Sequence, residues 1–347
     1  MIRKMSDVRK IDEQKGTRNE PHAEQKKFPW RWRVLIAIGA GVSCFLTIKA
    51  LTYVPPDVDP PVITLNGEET VEIGLGSDED YEDAGAIALD ERDGELEVAA
   101  DVPEIDYWNE GEYEVKYSVS DAAGNTAEAT RKLKVVAPEP VPGAVYLTFD
   151  DGPSEHTSRL LDVLKRYNVK VTFFVTGRGE DEMIKREFEE GHSVGLHSYS
   201  HVYSYIYQNT TAYFDDLYEI QNRVKDITGT APTLIRFPGG SSNTVSRRYD
   251  RGTRIMSRLV NEVEEKGFKY FDWNVSSGDA GGATTTEEVI DNVVSKFREG
   301  DLIILQHDTA GFSVDAVETI VRYGKKNGYQ FKALTSDSFD AHHGVNN

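Results

Sequence analysis

The pattern that most constrains the fold is the regular alternation of apolar segments and amphipathic helices from Ala144 onward. Segments typical of strands begin near Ala144, Lys170, Ser193, Thr233, Lys269, Leu302 and Gln330. Apolar residues at helical spacing lie between them, at 157–167, 181–190, 211–227, 253–265, 285–298 and 314–326. This alternation predicts an α/β domain in which βα units form a parallel sheet or barrel.

An apolar stretch near the start of the chain, residues 34–54, carries Lys49 as its one charged residue. A spanning helix needs about 20 largely apolar residues, so the stretch predicts a transmembrane anchor in which Lys49 reaches the far interface. Residues 1–33 hold ten Lys/Arg and five Asp/Glu. This basic flank predicts that residues 1–33 are a cytoplasmic tail and that everything after Val54 lies outside the cell. A cleaved signal peptide is the alternative.

The net charge of −20 is concentrated in the middle of the chain. Residues 55–137 contain 23 Asp/Glu and five Lys/Arg. Because nucleic acid requires a basic surface, the composition excludes it as a partner. Cys44 is the only cysteine, so an intrachain disulfide is excluded as well.

Two proline-rich linkers, residues 55–61 and 138–143, enclose a segment of short strands. The strands are predicted at 62–65, 70–73, 112–119 and 127–136, with turn residues between them. The pattern predicts a small all-β sandwich over residues 62–137. The segment resembles the bacterial immunoglobulin-like surface modules through residues 61–65, 81–85 and 117–125. This resemblance implies a spacer or adhesion module.

Ionisable side chains follow three of the predicted strands of the α/β domain. Asp150 and Asp151 end the first apolar segment, His197 and His201 follow another, and His307 closes a third. In βα barrels the carboxyl ends of the strands carry the chemistry. One carboxylate and two imidazoles are a common catalytic zinc set. The arrangement therefore predicts a metal-dependent hydrolase.

Residues 144–340 resemble the polysaccharide deacetylases of carbohydrate esterase family 4 through five short motifs in order. The motifs read Thr-Phe-Asp-Asp-Gly at 148–152, His-Ser-Tyr-Ser-His at 197–201, Arg-Phe-Pro-Gly-Gly at 236–240, Asp-Trp-Asn-Val at 272–275 and Leu-Gln-His at 305–307. The resemblance implies a distorted (β/α)7-type barrel followed by a short tail, residues 341–347. It also implies a metal-dependent enzyme that removes acetyl groups from polysaccharide.

The resemblance further implies a role for each motif residue. Asp151, His197 and His201 would hold a divalent metal, Zn²⁺ first and Co²⁺ second. Asp150 would be the general base, and His307 would protonate the departing amine.

The remaining motif residues would support these groups. Arg236 would pair with Asp150, and Asp272 would orient His307 and raise its pKa. Gly239 would donate its backbone N–H to the oxyanion, while Trp273 and Leu305 would wall the acetyl pocket. Gly239 stands where the family often has an aromatic residue. Two interpretations fit the tyrosines that follow His197. They replace the missing side-chain wall of the sugar groove, or the loop that carries them packs on itself. These tyrosines are Tyr199, Tyr203, Tyr205 and Tyr207.

The sequence thus predicts a membrane-anchored extracellular enzyme that removes N-acetyl groups from cell-wall glycan. Peptidoglycan amino sugars are the first choice of substrate, and chitin-like oligomers the second. The alternatives are an O-acetyl xylan esterase and a catalytically silent surface protein that binds wall glycan.

Overall fold

The computed structural model describes residues 53–347. The predicted cytoplasmic tail and residues 34–52 of the predicted anchor lie outside the described residues. Among the residues described, no helix has the length and apolar character needed to cross a bilayer. The anchor and its orientation therefore stay predictions.

The first folded segment is a two-sheet β-sandwich. Its strands are β1 (Val62–Leu65), β2 (Thr70–Gly74), β3 (Ala86–Asp90), β4 (Gly94–Leu96), β5 (Ala99–Asp101), β6 (Gly111–Ser120) and β7 (Thr126–Val136). One sheet has the order β1-β3-β4 and the other β2-β7-β6-β5. Alternate residues on the two long strands, such as Val115, Tyr117 and Leu133, are buried between the sheets. The predicted immunoglobulin-like sandwich is confirmed.

The second segment is built on a seven-stranded parallel sheet. Its strands are β8 (Val145–Asp150), β9 (Thr172–Val175), β10 (Ser193–Leu196), β11 (Leu234–Ile235), β12 (Lys269–Tyr270), β13 (Val275–Ser276) and β14 (Leu302–His307). The order is β12-β11-β10-β9-β8-β14-β13. In the described part of the chain no ladder joins β12 to β13. The parallel βα architecture is confirmed as a half-barrel.

One predicted strand is wrong. The segment near Gln330 makes a single parallel bridge, between Val145 and Phe331. From Thr148 onward the same edge of β8 is occupied by β9, so the later segment has no room to extend its ladder. The seventh strand is instead β13, a two-residue strand paired with β14.

Helices connect and cover the strands. They are α1 (Thr157–Arg166), α2 (Asp181–Glu189), α3 (Tyr203–Ile206), α4 (Thr210–Thr228), α5 (Ile255–Glu265), α6 (Thr286–Val294) and α7 (Gly311–Lys326), with a 3-10 turn at Val245–Arg248. The sequence explains the bounds of α4: the Asn209 side chain accepts from the N–H of Ala212, and Gly229 ends the helix in the left-handed conformation. All six residues of β8 are buried, as expected for a parallel strand covered on both faces.

The sandwich contacts the α/β domain directly through the loop that carries Trp108 and Asn109. Trp108 packs edge-on against Tyr167 with 5.6 Å between ring centroids. The guanidinium of Arg322 lies 4.5 Å from the centre of a Trp108 ring. The Lys325 ammonium donates to the Asn109 side chain at 3.1 Å. These contacts tie the sandwich to α7 and to the end of α1.

Candidate active site

Asp150 and Asp151 leave β8 with their side chains in different surroundings. Asp150 is the last strand residue and is only 2% exposed. Asp151 has a φ of 74°, a left-handed conformation that Asp tolerates better than most residues and that is common at functional sites. The backbone reversal separates the two carboxylates, so each can have its own partners.

Asp151, His197 and His201 converge on one point. A carboxylate oxygen of Asp151 lies 3.5 Å from Nε2 of His197 and 3.2 Å from Nε2 of His201. One donor atom from each of the three residues lies within 4.8 Å of the others. That Asp151 oxygen is buried and has no hydrogen-bond partner. An orphaned carboxylate oxygen facing two imidazoles fits a divalent cation.

The protonation of the two imidazoles also suits metal binding. Nδ1 of His197 lies 2.8 Å from the backbone oxygen of Arg236, so the ring proton belongs on Nδ1 and the lone pair on Nε2. Burial and the adjacent His197 lower the pKa of His201. A neutral imidazole is the form that coordinates a metal.

The loop between the two histidines is held by a helix. Ser198 and His201 have φ values of 71° and 50°, and the N–H of His201 donates to the Ser198 hydroxyl at 3.0 Å. Asp216, buried on α4, accepts the N–H groups of Tyr199 at 2.6 Å and Ser200 at 3.0 Å. This carboxylate accepts hydrogen bonds from two backbone N–H groups that would otherwise be unpaired. It thereby holds the loop that carries both imidazoles. Asp216 was not predicted from the sequence.

Arg236 joins several strands beneath the site. Its side chain is fully buried, and its guanidinium donates to a carboxylate oxygen of Asp150 at 2.9 Å and to the Thr148 hydroxyl at 2.6 Å. It also donates to the backbone oxygens of Phe271 and Asp272, each at 3.0 Å. The predicted contact between Arg236 and Asp150 is present. A cation with this many acceptors holds Asp150 in one position.

His307 lies beside Asp150 at the end of the neighbouring strand. The two are register partners in the β8–β14 ladder, so their side chains share a face. Nδ1 of His307 lies 2.9 Å from a carboxylate oxygen of Asp279, and the backbone N–H of His307 donates to the other oxygen at 2.7 Å. The Ser313 hydroxyl donates to that second oxygen at 2.6 Å.

Opposing effects set the pKa of His307. Burial lowers it, but the hydrogen bond that the imidazole donates to Asp279 and the negative charges of Asp150 and Asp151 raise the pKa to about 9. The imidazole is therefore protonated near neutral pH, and its Nε2–H is available to a substrate. This is the state that a general acid requires.

The prediction that Asp272 orients His307 is wrong. The Asp272 carboxylate accepts from the backbone N–H groups of Ser241 and His343, each at 2.8 Å, and from the Ser241 hydroxyl. Asp272 follows β12 at one edge of the sheet, whereas His307 ends β14 near the other edge. Asp279 follows β13, the neighbour of β14, and it therefore reaches the imidazole.

The cavity at the carboxyl ends of the strands has a volume of about 370 Å³. It is lined by the predicted groups Asp150, Asp151, His197, His201, Gly239, Trp273, Leu305 and His307, and also by Tyr203, Ser276, Gly278, Ala280 and Gly281. The backbone N–H of Gly239 has no partner among the described residues. It is therefore free to bind a substrate oxygen at this cavity.

The fold and the site together define a parallel (β/α) half-barrel protein with a candidate metal centre at the carboxyl ends of its strands. A family model for polysaccharide deacetylases matches residues 138–255, and a model for the immunoglobulin-like domain of bacterial surface proteins matches residues 63–135. The chain is 36% identical over 201 residues to a peptidoglycan-N-acetylglucosamine deacetylase of Bacillus cereus, covering 56% of this chain and 70% of that relative.

Two further relatives agree with this match. A peptidoglycan-N-acetylglucosamine deacetylase of Listeria monocytogenes is 32% identical over 232 residues, which cover 63% of this chain and 45% of that protein. The crystal structure of the catalytic domain of peptidoglycan N-acetylglucosamine deacetylase from Eubacterium rectale superposes with a TM-score of 0.58 at 49% identity, over 61% of this chain and 97% of that one. The chain belongs to the polysaccharide deacetylase family.

Proposed function

We propose that this protein is a metal-dependent N-deacetylase of cell-wall glycan. Peptidoglycan amino sugars are the preferred candidate substrate, and chitin-like oligomers are the second candidate. The observation that carries the proposal is the register pairing of Asp150 with His307, which sets a buried carboxylate beside an imidazole held by Asp279. The names of the B. cereus and E. rectale relatives support peptidoglycan as the substrate.

The ligand set favours zinc. Two imidazoles and one carboxylate from Asp151, His197 and His201 are a common set in catalytic zinc sites and leave a position for substrate. Co²⁺ suits the same donors. When bound, the cation supplies the Lewis acidity that polarises the acetyl carbonyl and makes a nearby water more acidic.

Asp150 accepts the proton of the attacking water. One of its oxygens is paired with Arg236 at 2.9 Å, and the other lies 3.7 Å from Nε2 of His197, on the metal side. The free N–H of Gly239 donates to the carbonyl oxygen as negative charge develops there. Fixed donors in a partly enclosed cavity stabilise this charge better than water does.

His307 donates its Nε2 proton to the leaving nitrogen. An amine cannot depart as an anion, so amide hydrolysis needs this proton more than ester hydrolysis does. Burial lowers the pKa of His307, but its hydrogen bond to Asp279 raises that pKa and so favours the protonated imidazole at neutral pH. This favours N-deacetylation over the O-acetyl xylan esterase alternative. It also argues against a silent glycan-binding protein, because binding requires neither an acid nor a base.

We place the α/β domain outside the cell, anchored by residues 34–54. The proposal is supported by the apolar length of this stretch and by the ten basic residues before it. Peptidoglycan is then within reach of the active site.

A substrate panel tests the function. Purified full-length protein, loaded with Zn²⁺, is incubated with peptidoglycan, chitin oligomers and acetyl-xylan, and released acetate and new free amine are quantified. We expect acetate and amine in equal amounts from peptidoglycan, with less from chitin oligomers. Release from acetyl-xylan alone would identify an esterase. Binding of glycan without release of acetate would identify a silent binding protein.

A further inference from the structure

Tyr203 occupies the space that a side chain at position 239 would need. A Cβ atom on Gly239 would lie 2.9 Å from the Tyr203 hydroxyl oxygen and 3.2 Å from Cβ of Asn243. The φ of Gly239 is 77°, which disfavours other residues as well. Because residue 239 is a glycine, it contributes no side chain to the cavity wall. The side chain of Tyr203, on α3, fills that part of the wall instead.

The Tyr203 hydroxyl faces the cavity without a partner. Tyr203 is half-buried and lines the same cavity as Gly239 and His201. Its ring packs edge-on against the imidazole of His201, with centroids 5.5 Å apart. Within residues 53–347 its hydroxyl makes no hydrogen bond. A phenol is a good donor, and this one is accessible from the cavity, so it can donate to a substrate acceptor there.

The position of Tyr203 is fixed by its neighbours. Tyr207 is fully buried, and its hydroxyl donates to the backbone oxygen of Pro238 at 2.7 Å. The rings of Tyr203 and Tyr207 pack with centroids 5.6 Å apart. The turn that carries Gly239 and the helix that carries Tyr203 are thus connected, so the hydroxyl is already in place before substrate arrives.

We propose that Tyr203 is a catalytic residue whose hydroxyl donates a second hydrogen bond to the acetyl carbonyl oxygen, beside the N–H of Gly239. The inference rests on the proposed deacetylation. The phenol keeps its proton, and no bond to Tyr203 forms or breaks. Its contribution grows as the carbonyl oxygen becomes an oxyanion, because hydrogen bonds to a charged acceptor are stronger.

The first test removes only the hydroxyl. Tyr203→Phe in the zinc-loaded full chain should lower kcat about 100-fold, as expected for the loss of one oxyanion donor, while KM for glycan and the zinc content stay within about twofold. The matched control is Tyr205→Phe. Tyr205 lies on the same helix but is 43% exposed, and its variant should keep kcat within about twofold.

The second test does not depend on turnover. Acetohydroxamate presents a carbonyl oxygen to the same cavity, and its affinity for the zinc-loaded protein is measured by calorimetry. Tyr203→Phe should weaken it about tenfold, the effect of one hydrogen bond. If the unsubstituted protein releases no acetate but this tenfold loss is seen, the proposed deacetylation fails, whereas the hydrogen bond from Tyr203 to a carbonyl oxygen in this cavity is still demonstrated.

A Tyr203→Phe variant that keeps both kcat and acetohydroxamate affinity would overturn the inference. A Tyr203→Ala variant of normal fold then shows whether the ring matters, and it would be slow beside a normal Tyr203→Phe variant if only the ring is used. In that case the ring is only a wall for the sugar and the hydroxyl has no part.

Discussion

Nδ1 of His307 and a carboxylate oxygen of Asp279 are 2.9 Å apart, and the second Asp279 oxygen accepts the backbone N–H of His307. This two-point contact fixes both the tautomer and the plane of the imidazole. It leaves Nε2 toward the cavity. Because Asp279 is 1% exposed at its side chain, its charge acts on His307 with little screening by water.

Replacing Asp279 by Asn should move the alkaline limb of the pH profile to lower pH. The carboxylate stabilises the imidazolium and raises the pKa of His307 to about 9. Removing its charge lowers that pKa, so the acid loses its proton at a lower pH. The measurement is kcat/KM against pH, with expected loss of activity between neutral pH and about 9.

The matched control is Asp272→Asn, which changes another buried carboxylate by the same substitution. Asp272 has no contact with His307, so the alkaline limb should stay in place even if the overall rate falls. If the alkaline limb moved in Asp272→Asn and stayed in place in Asp279→Asn, then Asp272 and not Asp279 would set the pKa of His307.

The zinc content of single variants should distinguish the metal ligands from the general base. His201→Ala removes a ligand, so zinc content and rate should both fall. Asp150→Asn keeps the Asp151, His197 and His201 set, so zinc should remain near one equivalent while kcat falls at least about 100-fold, the scale of a lost general base. Elemental analysis after dialysis, beside acetate release, checks both. Full zinc content in His201→Ala would remove His201 from the site.

Asp216→Ala should weaken metal binding although Asp216 is not a ligand. The carboxylate holds the N–H groups of Tyr199 and Ser200 between the two histidines. Outer partners of this kind are worth about 10- to 100-fold in metal affinity. Competition with a zinc chelator measures the effect. Asp215→Ala is the control, because Asp215 is exposed on the same helix; equal losses in both variants would contradict the role given to Asp216.

Residues 341–347, predicted as a tail, form contacts that support the fourth motif. The backbone N–H of His343 donates to Asp272 at 2.8 Å, and its Nε2 lies 2.7 Å from the backbone oxygen of Trp273. His343→Pro removes the N–H and leaves a buried carboxylate short of a donor, at a cost of about 1–3 kcal/mol. We expect a Tm lower by about 5 °C. His343→Ala keeps the N–H and should lose less; the reverse order would contradict this account.

Protease added to intact cells tests the membrane topology. The basic flank before residues 34–54 predicts that the α/β domain is outside. The domain should therefore be removed while an epitope within residues 1–33 is protected. A protected domain with a digested tail would reverse the orientation. A mature chain beginning near residue 50 would instead support a cleaved signal peptide.

The sequence predicted the site best where buried strands end in polar residues. Asp150 and His307 each follow an uninterrupted apolar run, and parallel strands bring such ends to one edge of the sheet. The grouping of Asp151, His197 and His201, the candidate metal ligands, was predictable for the same reason. The boundaries of β13 were not, because a two-residue strand carries too little apolar pattern to be recognised. The resemblance assigned the role to Asp272 in the Asp-Trp-Asn-Val motif, whereas Asp279, just after β13, makes the contact with His307.

Other residues depend on tertiary contacts that no local pattern shows. Asp216 lies among polar neighbours on α4, and a helical Asp is typical of a solvated face. Its burial follows from the path of the metal-binding loop over the helix. The tyrosines were ambiguous for a similar reason: Tyr207 is a core residue and Tyr203 lines the cavity, and only the packing of α3 on the Gly239 turn distinguishes them.

The most direct test of the central claim is acetate release from peptidoglycan by three samples of the full-length protein. They are the metal-free protein, the same protein reloaded with Zn²⁺, and the Asp150→Asn variant reloaded with Zn²⁺. We predict release only from the reloaded unsubstituted protein, with zinc bound equally in both reloaded samples. Undiminished release from protein shown to be free of metal would contradict the account, and so would full activity in the zinc-loaded Asp150→Asn variant.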